Sequence, residues 1–241
     1  MVVKQINLVT NQITTESWSD HPLIILVFVL GLALWGFFVW RYRKKRREGF
    51  LKWAGDNKFS FYPEKSKALA QSFIFLNKLD KGSNRYIYDY LNGSFQGHQA
   101  HAFTFHYETY SSSKHGRRTH HHYVGVVAIE LPKVFPEMII RPEKILEKLG
   151  QILGYQDIDF ESVEFSKKFA VRSKDKKFAY DFCHTRMMEY LIAHPQTSLE
   201  VDQNFLAIYD RNRLEPNELD GYFRQIVDIR AMMPKYLFED N

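Results

Sequence analysis

Residues 85–131 read RYIYDYLNGSFQGHQAHAFTFHYETYSSSKHGRRTHHHYVGVVAIEL, and the period of this stretch decides the fold class. Tyr86, Tyr88 and Tyr90 recur at every second position, the repeat of a strand whose side chains alternate between faces. Asn92-Gly93 is a strong hairpin signal, because the preferred two-residue turns need positive φ at their centre. Gly97–Tyr110 and Thr119–Leu131 read as two further strands, joined by the polar loop SSSKHGRR. Strands in succession with short connections predict an antiparallel meander.

Downstream the apolar period changes to that of helices. Glu143–Leu153 places Ile145, Leu146, Leu149, Ile152 and Leu153 on one face, with Gly154 positioned as a cap. Met138–Arg141 lies between Pro136 and Pro142 and reads as an edge strand. Phe169–Arg172 reads as a strand and Asp175–Ala193 as one amphipathic helix. Ser198–Val201 and Phe205–Tyr209 suggest a hairpin, and Pro216 opens a last helix. Strands followed by helices indicate an α+β domain over 58–241, not a parallel α/β sheet.

Upstream, Pro22–Trp40 reads PLIILVFVLGLALWGFFVW, without a charge. At about 1.5 Å per residue it matches a hydrocarbon core of about 30 Å. A signal peptide would carry its positive charge before the apolar stretch. Here the charge follows, as RYRKKRR (41–47), so 22–40 reads as a transmembrane helix. The excess of positive charge on the C-terminal side places 1–21 outside as a short extracytoplasmic tail. It makes 41–57 a basic juxtamembrane helix and puts the large domain in the cytoplasm. Arg41, Arg43, Lys44, Lys45, Arg46 and Arg47 are candidate contacts for anionic lipid headgroups.

The 241 residues carry a formal net charge of +5. Residues 1–47 hold seven basic and two acidic residues, and 48–241 hold 26 of each. The surplus therefore belongs to the run beside the span. The domain is electrically balanced, which argues against a nucleic-acid partner. A single cysteine, Cys183, excludes an intramolecular disulfide and a Cys-based zinc site. His184 follows it, but successive helical side chains diverge by about 100° and form no nucleophile–base dyad. No G-x-S-x-G, H-E-x-x-H, G-x-G-x-x-G or Walker sequence occurs.

Seven of the ten histidines fall in residues 98–122. Pairing with an even residue sum near 230 sets 106 opposite 124, 108 opposite 122 and 110 opposite 120. One face then collects Phe103, Phe105, Tyr107, Tyr123, Val127 and Ile129, an apolar set suited to a core. The other collects His106, Glu108, His120 and His122, candidate ligands for zinc or copper. The plainer reading of the same tip is a solvated polar hairpin.

From about Asn77 onward the chain resembles a family of uncharacterised bacterial single-span membrane proteins. The resemblance is carried by Gly82–Gly97 (GSNRYIYDYLNGSFQG), Phe103–Tyr107 (FTFHY), Leu131-Pro132, Arg141-Pro142-Glu143 and Gln156–Phe160 (QDIDF). It implies a bacterial inner-membrane protein with a cytosolic α+β domain, and offers no catalytic residues to carry over. The expected function is a membrane-tethered binding or scaffolding domain without catalytic activity or cofactor. It would be a subunit or accessory of a membrane complex, with the bilayer and a protein as partners. The alternative is a metal sensor or metal-dependent enzyme using the His/Glu cluster, with zinc as cofactor.

Overall fold

The apolar span and the first core residues lie on one uninterrupted helix, α1 (Pro22–Asn57). The computed structural model describes residues 22–113, 116–142, 156–158 and 160–239. The expected tail 1–21 and the expected helix Glu143–Leu153 lie outside the described residues. The chain divides into two units, Met1–Lys45 and Arg46–Asn241. In the first, the side chains from Ile25 to Trp40 are unburied around the helix, including Phe28, Leu34, Trp35 and Phe38. A helix apolar on all sides suits lipid as its solvent, and this one is long and apolar enough to cross a membrane.

The second unit is α+β. Its elements, after the end of α1, are β1 (Ser60–Tyr62), α2 (Lys67–Ser72), β2 (Ser83–Phe95), β3 (His98–Ser113), β4 (Gly116–Pro142), β5 (Gln156–Asp157), α3 (Val163–Lys168), β6 (Phe169–Ser173), α4 (Lys176–Phe182), α5 (Thr185–Ala193), β7 (Ser198–Asp210), α6 (Leu219–Met232) and a final 3-10 turn at Lys235–Phe238. The strands form one antiparallel sheet in the order β1-β2-β3-β4-β6-β5, with β7 paired to β4.

Both faces of this sheet are buried. On one, Ala100, Ala102, Val127, Ile129, Leu206 and Ile208 meet Phe50, Trp53 and Ala54 of α1 together with α4–α6. Trp53 stacks on Phe223 at 5.0 Å, and its indole N–H donates to Asp220 Oδ1 at 2.8 Å. On the other, Phe103, Phe105, Val124, Val126 and Ala128 meet Ala70, Phe73, Leu76 and Leu79. Serine and aspartate caps start the short helices: Ser66 accepts from Leu69 N–H, Ser162 from Phe165 N–H and Asp175 from Phe178 N–H.

Several local expectations are corrected. Asn92-Gly93 is not the turn; it lies inside β2, opposite His101 and Ala100. The turn is Gln96-Gly97, both at positive φ (48° and 86°), between the paired residues Phe95 and His98. Gly93 is a packing position: an added Cβ would meet the Phe59 ring at 2.7 Å. Met138–Arg141 is no edge strand but the second half of β4, flanked by β6 and β7. Residues 198–210 form one strand, with Gln203 at φ 52°, not a hairpin. The helix expected over 175–193 is two, α4 and α5. They break at Cys183-His184, where His184 Nε2–H donates to the Met232 carbonyl.

Candidate functional site

The β3–β4 hairpin is the most chemically loaded part of the chain, and its register decides which side chains meet. Both strands run to the tip, and Ser113 pairs with Gly116, leaving two residues between them. That fixes an odd residue sum of 229: His106 faces Tyr123, Tyr107 faces His122, and Glu108 faces His121. The even register is therefore one residue off. An even register follows from one apolar face, whereas this sheet buries both.

The shift exchanges the members of the histidine cluster. His120 and His122 turn to the face opposite His106 and Glu108. There His122 stacks on Tyr107 at 4.7 Å and its Nε2 meets Thr109 Oγ1 at 2.8 Å, while His120 Nε2 meets Ser111 Oγ at 2.8 Å. His121 joins His106 and Glu108 instead. His106 Nε2 lies 3.1 Å from His121 Nδ1, which is 3.5 Å from Glu108 Oε1. One ligand atom from each of the three lies within 4.8 Å of the others.

Surrounding groups hold the cluster still. His106 is buried, stacked on Tyr86 at 4.3 Å and touching Tyr123. Its Nδ1 faces the Asn84 carbonyl at 3.3 Å. The Asn84 side-chain amide donates to Glu108 Oε1 at 2.7 Å and Tyr110 O–H donates to Oε2 at 3.1 Å. Asn84 sits at φ 47° where the β2–β3 register shifts, a backbone conformation that asparagine tolerates better than most residues. Gly82 precedes it at φ 63°, so close to β3 that a Cβ would fall 2.4 Å from the Glu108 carbonyl oxygen. Burial pushes the His106 imidazole below its ordinary range. The Asn84 hydrogen bond holds the Glu108 carboxyl below its own. Both shifts favour the unprotonated forms.

His101 has a structural role, buried between Tyr90 O–H at 2.9 Å and Glu130 Oε1 at 3.1 Å. Cys183 is buried on the apolar side, and burial pushes its thiol far up.

The six-residue basic set also divides. Arg41, Arg43, Lys44, Lys45 and Arg47 are exposed on α1. Arg46 is not available to headgroups: its side chain is 11% exposed and bonds to Asp89, to Glu215 Oε2 at 3.2 Å and to the Leu214 carbonyl at 2.6 Å. Composition could not separate it from its neighbours, since its acidic partners are distant in sequence.

A second buried charge group was not apparent in the sequence. Glu200 is fully buried, accepts from Asn77 N–H at 2.5 Å and Tyr209 O–H at 3.0 Å, and lies 3.8 Å from Arg141, itself 1% exposed. An open cleft of about 960 Å³ lies beside this group, lined by Lys78, Lys167, Lys168, Tyr209 and Arg211 among others. None of the hairpin cluster lines it.

No protein-family model and no curated protein sequence matches the chain. Among solved structures, the crystal structure of the mycobacterial trehalose monomycolate transport factor A, TtfA, superposes with a TM-score of 0.57 at 14% identity, over 79% of this chain and 95% of that one. At that identity the likeness is one of fold, and it spans nearly the whole of TtfA.

Proposed function

We propose that this chain is a single-span membrane protein whose C-terminal α+β domain acts on the cytoplasmic side as an accessory subunit of a membrane complex. The observation that carries the reading is α1. Its unburied apolar residues 25–40 and the core residues Phe50, Trp53 and Ala54 belong to the same helix.

The cytoplasmic assignment rests on the exposed basic residues that follow the span. Each would add about 1 kcal/mol of attraction to an anionic surface. The accessory role is supported by the absence of the familiar catalytic motifs from the sequence and by analogy with TtfA, a transport factor sharing the fold.

Affinity capture from native membranes, solubilised in mild detergent, tests the role. The reading expects a membrane protein recovered in constant ratio to the bait and lost when residues 1–45 are replaced by an unrelated span. Recovery of the bait alone would contradict it.

A further inference from the structure

We propose that His106 Nε2, His121 Nδ1 and a carboxylate oxygen of Glu108 bind one divalent transition-metal ion, zinc by the chemistry of the donors, with a fourth position open to solvent. Two imidazoles and a carboxylate are a common three-ligand zinc set, and a site of this kind keeps one position for water or a ligand.

The spacing fits. On a tetrahedral ion with bonds of about 2.1 Å, neighbouring donor atoms stand roughly 3.4 Å apart. Of the three separations here, that between the imidazole nitrogens is 3.1 Å and that from His121 to Glu108 is 3.5 Å, and all three lie within 4.8 Å. The surroundings fit as well. A ligating histidine usually donates its other N–H to a carbonyl or carboxylate, which fixes the tautomer and aims the free lone pair. The Asn84 carbonyl, 3.3 Å from His106 Nδ1, does that here and leaves Nε2 as the free donor. The Asn84 amide and Tyr110 hydroxyl orient the Glu108 carboxylate in the same manner.

Two of the three ligands come from β3 and the third from the paired strand, so the register holds their backbones in place. His121, with its side chain 54% exposed, gives the ion a way in. Among the described residues Lys65 is a nearby opposing charge, its ammonium resting over the Tyr86 ring at 4.6 Å. The Glu108 carboxylate offsets it.

The register also separates this site from incidental binding by the His120–His122 run. His120 and His122 lie on the other face, engaged with Ser111 and Thr109. A site made by the run itself would depend on all three histidines. The proposed site depends on His121 and ignores its neighbours.

The test uses the full chain in detergent, purified without a histidine tag and stripped with chelator. Zinc is titrated by calorimetry and cobalt(II) by its visible absorption, which is more intense for tetrahedral than for octahedral coordination. The expected result is one equivalent bound with Kd of about 10 µM or tighter, roughly 7 kcal/mol on the standard affinity scale. His121→Ala and Glu108→Gln should weaken binding at least about 100-fold. Asn84→Gly, which keeps the positive φ and removes the orienting amide, should cost about 10-fold. His120→Ala and His122→Ala should change it less than about 2-fold. His121 is exposed, so its variant folds even if His106→Ala does not, and circular dichroism checks this. Kd weaker than about 100 µM, equal loss from His120→Ala and His121→Ala, or no effect of His121→Ala would each overturn the proposal.

Discussion

Arg46 shows how one side chain can differ from five like-charged neighbours in the same run. Its guanidinium bonds to Asp89 and Glu215 in a largely desolvated place, with the Phe50 ring 4.8 Å below it. Removing the guanidinium leaves the buried Asp89 without this partner, while Glu215 keeps Arg213 at 3.0 Å, and breaking a buried pair costs about 3–5 kcal/mol. Arg46→Ala should therefore lower unfolding stability by at least about 3 kcal/mol, while exposed Arg47→Ala should stay within about 0.5 kcal/mol. Chemical denaturation of both variants checks this, and equal effects would remove the clamp from the account.

Glu200 gives a pH signature at the same scale. Burial pushes its carboxyl up to about 7, against an ordinary 4.5. A carboxyl that keeps its proton longer folded than unfolded makes the folded state lose stability as pH rises between those two values. Above about 7 the loss levels off, because both states are then ionised. Glu200→Gln should flatten that part of the profile, measured as denaturation midpoints across the range; an unchanged slope would assign it to other groups. Cys183, with burial raising its thiol pKa, should resist maleimide in the folded chain and react on unfolding.

At the scale of elements, glycines and register carry the lesson. Asn92-Gly93 carries a strong turn signal, yet the chain turns at Gln96-Gly97. Gly93 is needed because Phe59 lies on it, packed in turn against Trp53 and Phe223. Gly93→Ala should cost about 2 kcal/mol through overpacking. Gly97→Ala should cost about 1 kcal/mol through its positive φ. A negligible effect at Gly93 would contradict the packing role.

The meander was legible because Tyr86, Tyr88 and Tyr90 recur at every second position and Phe103 and Phe105 alternate with Thr104 and His106. The hairpin register was not, because Val126 and Val127 are buried on opposite faces and apolarity no longer tells the faces apart. His121 was missed for that reason. The two-residue connection between Ser113 and Gly116 was the available signal, hidden within a longer polar run. The break between α4 and α5 was equally hidden, since Cys183 and His184 carry no helix-breaking chemistry.

For the whole molecule, the net charge of +5 means less as a total than in its placement. Five exposed cations follow the apolar stretch of α1, and the sixth, Arg46, belongs to the domain. The domain shares its fold with TtfA while the sequence matches no family model, and a shared fold does not by itself carry a shared function. Anchorage with the domain in the cytoplasm is the central claim, and sided proteolysis tests it most directly. Protease is applied to intact spheroplasts and, separately, to inverted membrane vesicles, with an epitope at the C-terminus. The account predicts that the epitope survives in spheroplasts, is lost in inverted vesicles, and stays with the membrane through a carbonate wash. Loss of the epitope in intact spheroplasts, or release of the chain by the wash, would contradict it.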